Sequence, residues 1–214
     1  MSHNITYRIA TNADRNEIEV LFNKHFYPNE PFNASWINDE PVPEDLEFTL
    51  AELNEEMSIV AVDVETNRIV GACIVGIDTP KATADVIAEA KTTTNKKWAQ
   101  YLKLYARLDL ESDIFRRFNV QESFHIHALV VDANYRCRSI GMELMERNFQ
   151  HGASRGYKVC SVNCSSAFTE KMAIKLEMNR MSSIAMDSVI DESGSRLMYP
   201  TSPHTHITTY AKRL

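Results

Sequence analysis

No apolar run in this 214-residue chain approaches the ~20 residues that a membrane-spanning helix needs. Its opening, MSHNITYR, has no signal-peptide architecture. The four cysteines (73, 137, 160, 164) form no CxxC pair, and Cys160 and Cys164 fall in a strand pattern where buried free thiols are usual. A reduced, cytoplasmic protein with no membrane association is the expectation. Positive charge is in deficit, with 23 Lys and Arg against 29 Asp and Glu. The resulting net charge of −6 argues against a nucleic-acid partner and mildly for a cationic ligand. No repeat, linker or low-complexity run divides the chain. No strand leads through a Gly-x-Ser-x-Gly elbow into a helix, which disfavours a nucleophilic serine. Hydrophobic content of 44% and charged content of 24% are globular values. One α/β domain spanning residues 1–214 is expected, as a monomer or weak dimer.

What is present centres on residues 124–156. An apolar strand, Phe124–Val131, passes through a turn at Asp132–Tyr135. A basic loop of small residues follows, Arg136-Cys-Arg-Ser-Ile-Gly141, and then an amphipathic helix to about Ala153. A strand emptying through such a loop into a helix N-terminus makes an anion site, because the first-turn N–H groups are unpaired and the helix dipole is positive there. Two arginines, Arg136 and Arg138, add charge-assisted hydrogen bonds, so a phosphate or pyrophosphate is implied.

Around this unit the alternation of Ile5, Tyr7 and Ile9 reads as a strand, and Ile18, Leu21, Phe22 and Phe26 give a helix over 14–26. Pro28 and Pro31 are expected to end that helix and hold Tyr27 and Glu30 extended. A second helix runs from about Pro43 to Glu55. A β-hairpin over 58–77 turns at Glu65-Thr66-Asn67. Residues 79–119 interrupt the α/β rhythm and read as a helical insertion packed across one end of the sheet. Its stripe of Trp98, Tyr101, Leu102, Tyr105 and Leu108 reads as core, without nameable chemistry. Strands are expected at 157–163, 182–188 and 204–212, with a helix over 168–178.

The run Val130-Val-Asp-Ala-Asn-Tyr-Arg-Cys-Arg-Ser-Ile-Gly141 resembles the acetyl-CoA signature Arg/Gln-x-x-Gly-x-Gly/Ala of the GNAT acetyltransferases. Arg136, Ser139 and Gly141 fall on its three fixed positions. Ser139 replaces the first glycine, and Cys137 stands where many relatives have another. Phe26-Tyr-Pro-Asn-Glu-Pro-Phe32 and Cys164-Ser-Ser-Ala-Phe-Thr-Glu-Lys-Met-Ala-Ile-Lys-Leu176 resemble two elements of the insect arylalkylamine N-acetyltransferases. The resemblance covers nearly the whole chain. It implies the GNAT fold, a central mixed twisted sheet flanked by helices, with the insertion at 79–119 ahead of the central strand. It also implies acetyl-CoA-dependent acetylation of a small primary amine such as dopamine, serotonin, tyramine or octopamine. The alternatives are an agmatine or polyamine acetyltransferase of the same subgroup, a peptide N-terminal acetyltransferase, and a CoA-binding module without turnover.

Carried over residue by residue, the resemblance makes Glu30 the base, with Pro31 beside it in the amine pocket. Ser165, with Thr169 one helical turn later, matches paired catalytic hydroxyls, and Ser165 is equally well placed to cap the following helix. Phe168 stands near the position where many GNAT enzymes carry a tyrosine acid. Leu129, Val130 and Val131 would pair with the pantetheine arm like an extra strand, a backbone N–H near Val130 polarising the thioester carbonyl. Arg136, Cys137, Arg138, Ser139, Ile140 and Gly141 would hold the pyrophosphate. His204 and His206 fall in an element that borders the amine pocket in relatives. His125-x-His127 and His204-x-His206 each put two imidazoles on one strand face. No cysteine or carboxylate stands at a supporting spacing, so no metal is expected.

Overall fold

The computed structural model describes residues 4–37 and 42–214. Strand β1 (Ile5–Ile9) pairs with β2 (Ile59–Asp63), and β2 with β3 (Arg68–Asp78), around a turn in which Asn67 takes a left-handed conformation. β3 pairs antiparallel with the central strand β4 (Ser123–Val131), which lies parallel to β5 (Val159–Cys164). β6 (Asn179–Ala185) and β7 (His206–Arg213) complete one seven-stranded sheet of order β1-β2-β3-β4-β5-β7-β6. The expected mixed sheet flanked by helices is therefore present.

Alternation in β2 and β3 sends side chains to two faces. On one face Ile59, Ala61, Val70 and Cys73 meet helix α7 (Ile140–Ser154) through Ile140, Leu144 and Met145. On the other, Val60, Val62, Ile69 and Ile74 pack on α1 (Arg15–Leu21) and α3 (Pro43–Ala51) through Ile18, Leu21 and Leu50. The insertion forms α4 (Pro80–Thr92), α5 (Lys96–Ser112) and the short α6 (Ile114–Phe118). Trp98, Tyr101, Leu102 and Leu108 of α5 pack against Ile184 of β6 and Ile207 of β7, covering one end of the sheet as the aromatic stripe predicts. No helix among the described residues is long and apolar enough to cross a membrane. Cys73, Cys160 and Cys164 are buried free thiols, and Cys137 is exposed.

One local expectation fails. Tyr27 is helical (φ −53°, ψ −40°), not extended. After α1 the chain widens into a π turn, Phe22–Phe26, and restarts as a 3₁₀ turn at Tyr27–Asn29. Pro28 then sits at the start of a new turn, where its missing N–H costs nothing. Glu30 is extended (φ −81°, ψ 118°), as read, and a five-residue helix α2 (Pro31–Ser35) follows it. The helical Tyr27 turns its hydroxyl inward to donate to the buried Asp45 at 3.0 Å, and Tyr105 of α5 donates to the other oxygen at 2.9 Å. Burial raises the Asp45 pKa, and the two tyrosine hydrogen bonds oppose the rise.

Removing one donor leaves a buried carboxylate oxygen unsatisfied. Tyr105→Phe is expected to cost about 1–3 kcal/mol, read as a lower urea midpoint at unchanged slope.

Candidate active site

The site exists because two strands separate. β4 and β5 pair at three positions, Phe124↔Cys160, His125↔Ser161 and Ile126↔Val162, and no further. On the other side of β4 the register slips by one residue between Ile126 and Ala128, leaving His127 as a bulge. Beyond that point the β5-facing edge of β4 has no strand partner among the described residues, and a cleft of about 730 Å³ opens along it. Leu129, Val130 and Val131 form one wall, and Arg136, Cys137, Ser139, Ile140 and Gly141 lie at its mouth.

The mouth is the predicted anion site. Helix α7 starts at Ile140, and the side chain of Ser139 before it makes no cap, so the first-turn N–H groups have no side-chain partner from this residue. Cys137 (φ 60°) and Ser139 (φ 61°) both hold the left-handed backbone that glycine favours. The loop is tied from outside. The Tyr135 hydroxyl donates to Asp63 at 2.6 Å, and Ala133 N donates to His25 Nδ1 at 3.3 Å. With Nδ1 accepting, the His25 proton sits on Nε2, 3.4 Å from Asp132 Oδ2. Arg136 donates to the carbonyls of Val131 (3.3 Å) and His25 (3.0 Å), so its guanidinium braces the loop as well as charging it. Arg138 does not line the cleft. It donates to Asn134 O at 3.1 Å and covers the Tyr135 ring.

Glu30, Pro31, Ser165, Thr169 and His204 line the same cleft from its other side. Glu30 is 8% exposed, well removed from a solvated loop glutamate. Its Oε2 accepts from Asn33 N at 2.7 Å, capping α2, and from Asn33 Nδ2 at 3.1 Å. Its Oε1 accepts from the Ser165 hydroxyl at 2.5 Å. Asn33 is in turn held by the Tyr101 hydroxyl of the insertion, also at 2.5 Å. Burial raises the Glu30 pKa, and the hydrogen bonds from Ser165 and the α2 backbone oppose it. The cap of helix α8 (Ala167–Lys175) is Ser166, whose Oγ accepts from Phe168 N, so Ser165 is free to face Glu30. His204 Nδ1 accepts from Ala167 N at 3.1 Å and its ring meets Phe168, which is 64% exposed. His206 is exposed, bonded to the Thr205 side chain, and outside the cleft.

A second cavity of about 300 Å³ adjoins the first; Phe26, Glu30, His127, Ala128, Asn163 and Ser165 line both. Its remaining walls come from α3, β3, α4 and α5, including Asp45, Asp78, Thr83, Tyr105 and Asp109. The insertion, whose residues showed no nameable chemistry in sequence, thus contributes side chains to the site. A signal for this stood in the sequence: Tyr101, Tyr105 and Asp109 recur at i, i+4 and i+8, a carboxylate on the buried stripe. His125 and His127 also border this cavity, both pushed down to about 4 by burial. Among the described residues no group of three or more His, Cys, Asp and Glu side chains is arranged to hold a metal ion. The one literal Gly-x-Ser-x-Gly run, 152–156, closes helix α7, with the Ser154 hydroxyl donating to His151 O, and is no elbow.

No protein-family model matches the chain. Among solved structures it is similar to a mosquito arylalkylamine N-acetyltransferase like 5b, at 30% identity over 99% of this chain and 100% of that one, with a TM-score of 0.94. It is similar also to Drosophila melanogaster polyamine N-acetyltransferase, an enzyme that catalyses the formation of N-acetylagmatine (28% identity, 99% and 100% covered, TM-score 0.91). A putative acetyltransferase from Salmonella typhimurium, solved with its cofactor acetyl-CoA, shares the fold at 14% identity (99% and 94% covered, TM-score 0.55).

A methyl group on Gly141 would meet Met172 Sδ at 3.4 Å and Leu129 Cδ2 at 3.6 Å, which is ordinary contact. Gly141→Ala should therefore leave the melting temperature unchanged or raised while narrowing the cleft. The expected outcome is about tenfold weaker acetyl-CoA binding by calorimetry.

Proposed function

This chain belongs to the GNAT superfamily of acetyltransferases and is an acyltransferase, and from that premise we propose that it acetylates a small primary amine with acetyl-CoA. The acetyl-CoA diphosphate would rest on the first turn of α7 with Arg136 beside it, and the pantetheine arm along Leu129–Val131. The amine would enter from the smaller cavity. The observation that carries this reading is the Glu30–Ser165 hydrogen bond, placed in the wall that the two cavities share.

The chemistry needs a base because a free alkylamine has a pKa of ~10.4 and arrives as ammonium. Buried Glu30, its pKa raised by burial, attracts that cation and removes a proton from it. The free amine attacks the thioester carbon: a C–N bond forms and the C–S bond breaks, with a β4 backbone N–H near Val130 polarising the carbonyl. The second amine proton leaves to solvent. Ser165 protonates the departing thiolate and regains its proton from Glu30, which closes the cycle without a covalent enzyme intermediate. Thr169 lies one turn beyond Ser165 and lines the same cleft. Pro31 and His204 shape the rim, and His206 has no part in it.

Glu30→Gln should lower kcat by at least about 100-fold with acetyl-CoA binding retained. In the wild type, kcat should fall as pH drops through the raised Glu30 pKa, above the ~4.3 of an ordinary glutamate, because only the carboxylate accepts a proton. Residual Glu30→Gln activity should lack that limb. Normal acetylation by Glu30→Gln would remove Glu30 as the base. Ser165→Ala should lower kcat by about tenfold or more, leaving KM for acetyl-CoA within about twofold of wild type.

A further inference from the structure

The smaller cavity carries far more negative charge than one amine requires. Seven carboxylate side chains line it, with no lysine or arginine among them. Four have evident partners: Glu30 has Ser165 and Asn33, Asp45 has two tyrosines, Glu89 accepts from Trp98 Nε1, and Asp85 pairs with Lys81. The other three, Glu52, Asp78 and Asp109, are poorly satisfied. Asp109 accepts one hydrogen bond, from Thr83 at 3.1 Å. Asp78 lies 3.2 Å from His125 Nδ1, a nitrogen that Ser161 also engages at 2.8 Å. Glu52 stands 3.9 Å from His127, beyond hydrogen-bond reach. The two imidazoles supply no charge at neutral pH, because burial holds them down to about 4. Burial and the neighbouring Asp78 push both Glu52 and Asp109 up to about 7, the behaviour of carboxylates gathered without a counter-ion.

Two further features belong to the same walls. Thr49 of α3 is 7% exposed and lines the cavity beside these carboxylates. Gly76 of β3 is the floor beneath Glu52 and His127. A Cβ there would fall 2.4 Å from the Glu52 carboxylate and 2.6 Å from His127 Nε2. The missing side chain at Gly76 thus leaves room for this acid and this imidazole to lie against the strand.

We propose that the acceptor is an amine bearing a second cationic group, ammonium or guanidinium, and that Glu52, Asp78 and Asp109 bind that group while the first amine lies at Glu30. Charge-assisted hydrogen bonds to a desolvated cation supply the counter-ion that these walls lack. A singly charged arylalkylamine leaves the three carboxylates unpaired. This assignment rests on the acetyl-transfer reading for the reacting amine and adds the group that selects it.

The test measures kcat/KM for agmatine, 1,4-diaminobutane, butylamine and tyramine at saturating acetyl-CoA, alongside calorimetric binding of agmatine. Both dications should exceed butylamine and tyramine by about tenfold or more. Asp109→Asn keeps an acceptor for Thr83. It should shrink the agmatine-to-butylamine ratio by about tenfold and weaken agmatine binding in proportion. Glu52→Gln should do the same, and serves if the Asp109 variant misfolds. A wild type that prefers tyramine or butylamine overturns the assignment and leaves acetyl transfer standing. So does an unchanged ratio in both variants. Agmatine binding that Asp109→Asn weakens, with no turnover of any amine, keeps the cation site and removes the catalytic reading. Absence of both binding and turnover overturns the assignment.

Discussion

Everything in the site depends on β4 and β5 lying side by side for three residue pairs and then separating. A parallel pair that splits leaves backbone N–H and C=O groups without partners, which is costly unless something else pairs with them. The fold holds the split open at one end by the bulge at His127, and at the other by the β5 exit at Cys164-Ser165. The Glu30 loop reaches into this fork from a distant part of the chain. One hydrogen bond, from Ser165 to Glu30, joins the two sides across 135 residues of sequence. The cleft below and the cavity above meet at that bond.

Glu30 is under two opposed demands. As the cap of α2 it accepts from Asn33 N, and that bond, like the one from Ser165, favours the carboxylate. Burial disfavours it and is the larger effect. Hydration alone would leave the pKa of this carboxyl at its ordinary value, and burial without the cap would raise it further. The insertion holds the balance in place, because Tyr101 of α5 fixes Asn33, and Asn33 fixes the carboxylate. Tyr105 and Tyr27 do the same for Asp45 nearby. The helical segment that looks like an accessory cover is therefore a structural support of the buried Glu30 carboxylate.

These facts explain what was legible in the sequence. The anion loop is local: strand, turn, small basic loop and helix are contiguous, so periodicity and composition place nearly all of it. Glu30 and Ser165 were legible only through resemblance, since nothing in either residue's neighbourhood shows that they touch. The serine-before-helix pattern left cap and catalysis undivided because two serines stand together, and only the coordinates give the cap to Ser166. Tyr27 was misread because the proline rule assumes a regular helix, whereas a π turn precedes Pro28. His206 was placed by resemblance, in an element that borders the amine pocket in relatives, but the chain enters β7 there and turns it to solvent. Asp78 and Asp109 were missed because their meeting is tertiary. They come from the end of β3 and the last turn of α5, with α4 between them in sequence.

The departures from the glycine-rich signature follow the same logic. Cys137 and Ser139 keep left-handed backbone angles without being glycine, a conformation that costs ordinary residues roughly 1–2 kcal/mol each. Such strain persists only where surrounding contacts over-determine it. Here they do: Tyr135 is tied to Asp63 at the end of β2, Ala133 to His25, and Arg136 to two backbone carbonyls. The π turn that carries His25 thus acts as an external clamp on the anion loop, and the same segment runs on directly to Glu30. The loop's shape is imposed from outside by packing, where glycines would have allowed it from within. The clamp that shapes the α7 end of the cleft and the loop that delivers the Glu30 carboxylate to its other side are one continuous stretch of chain, His25 to Glu30.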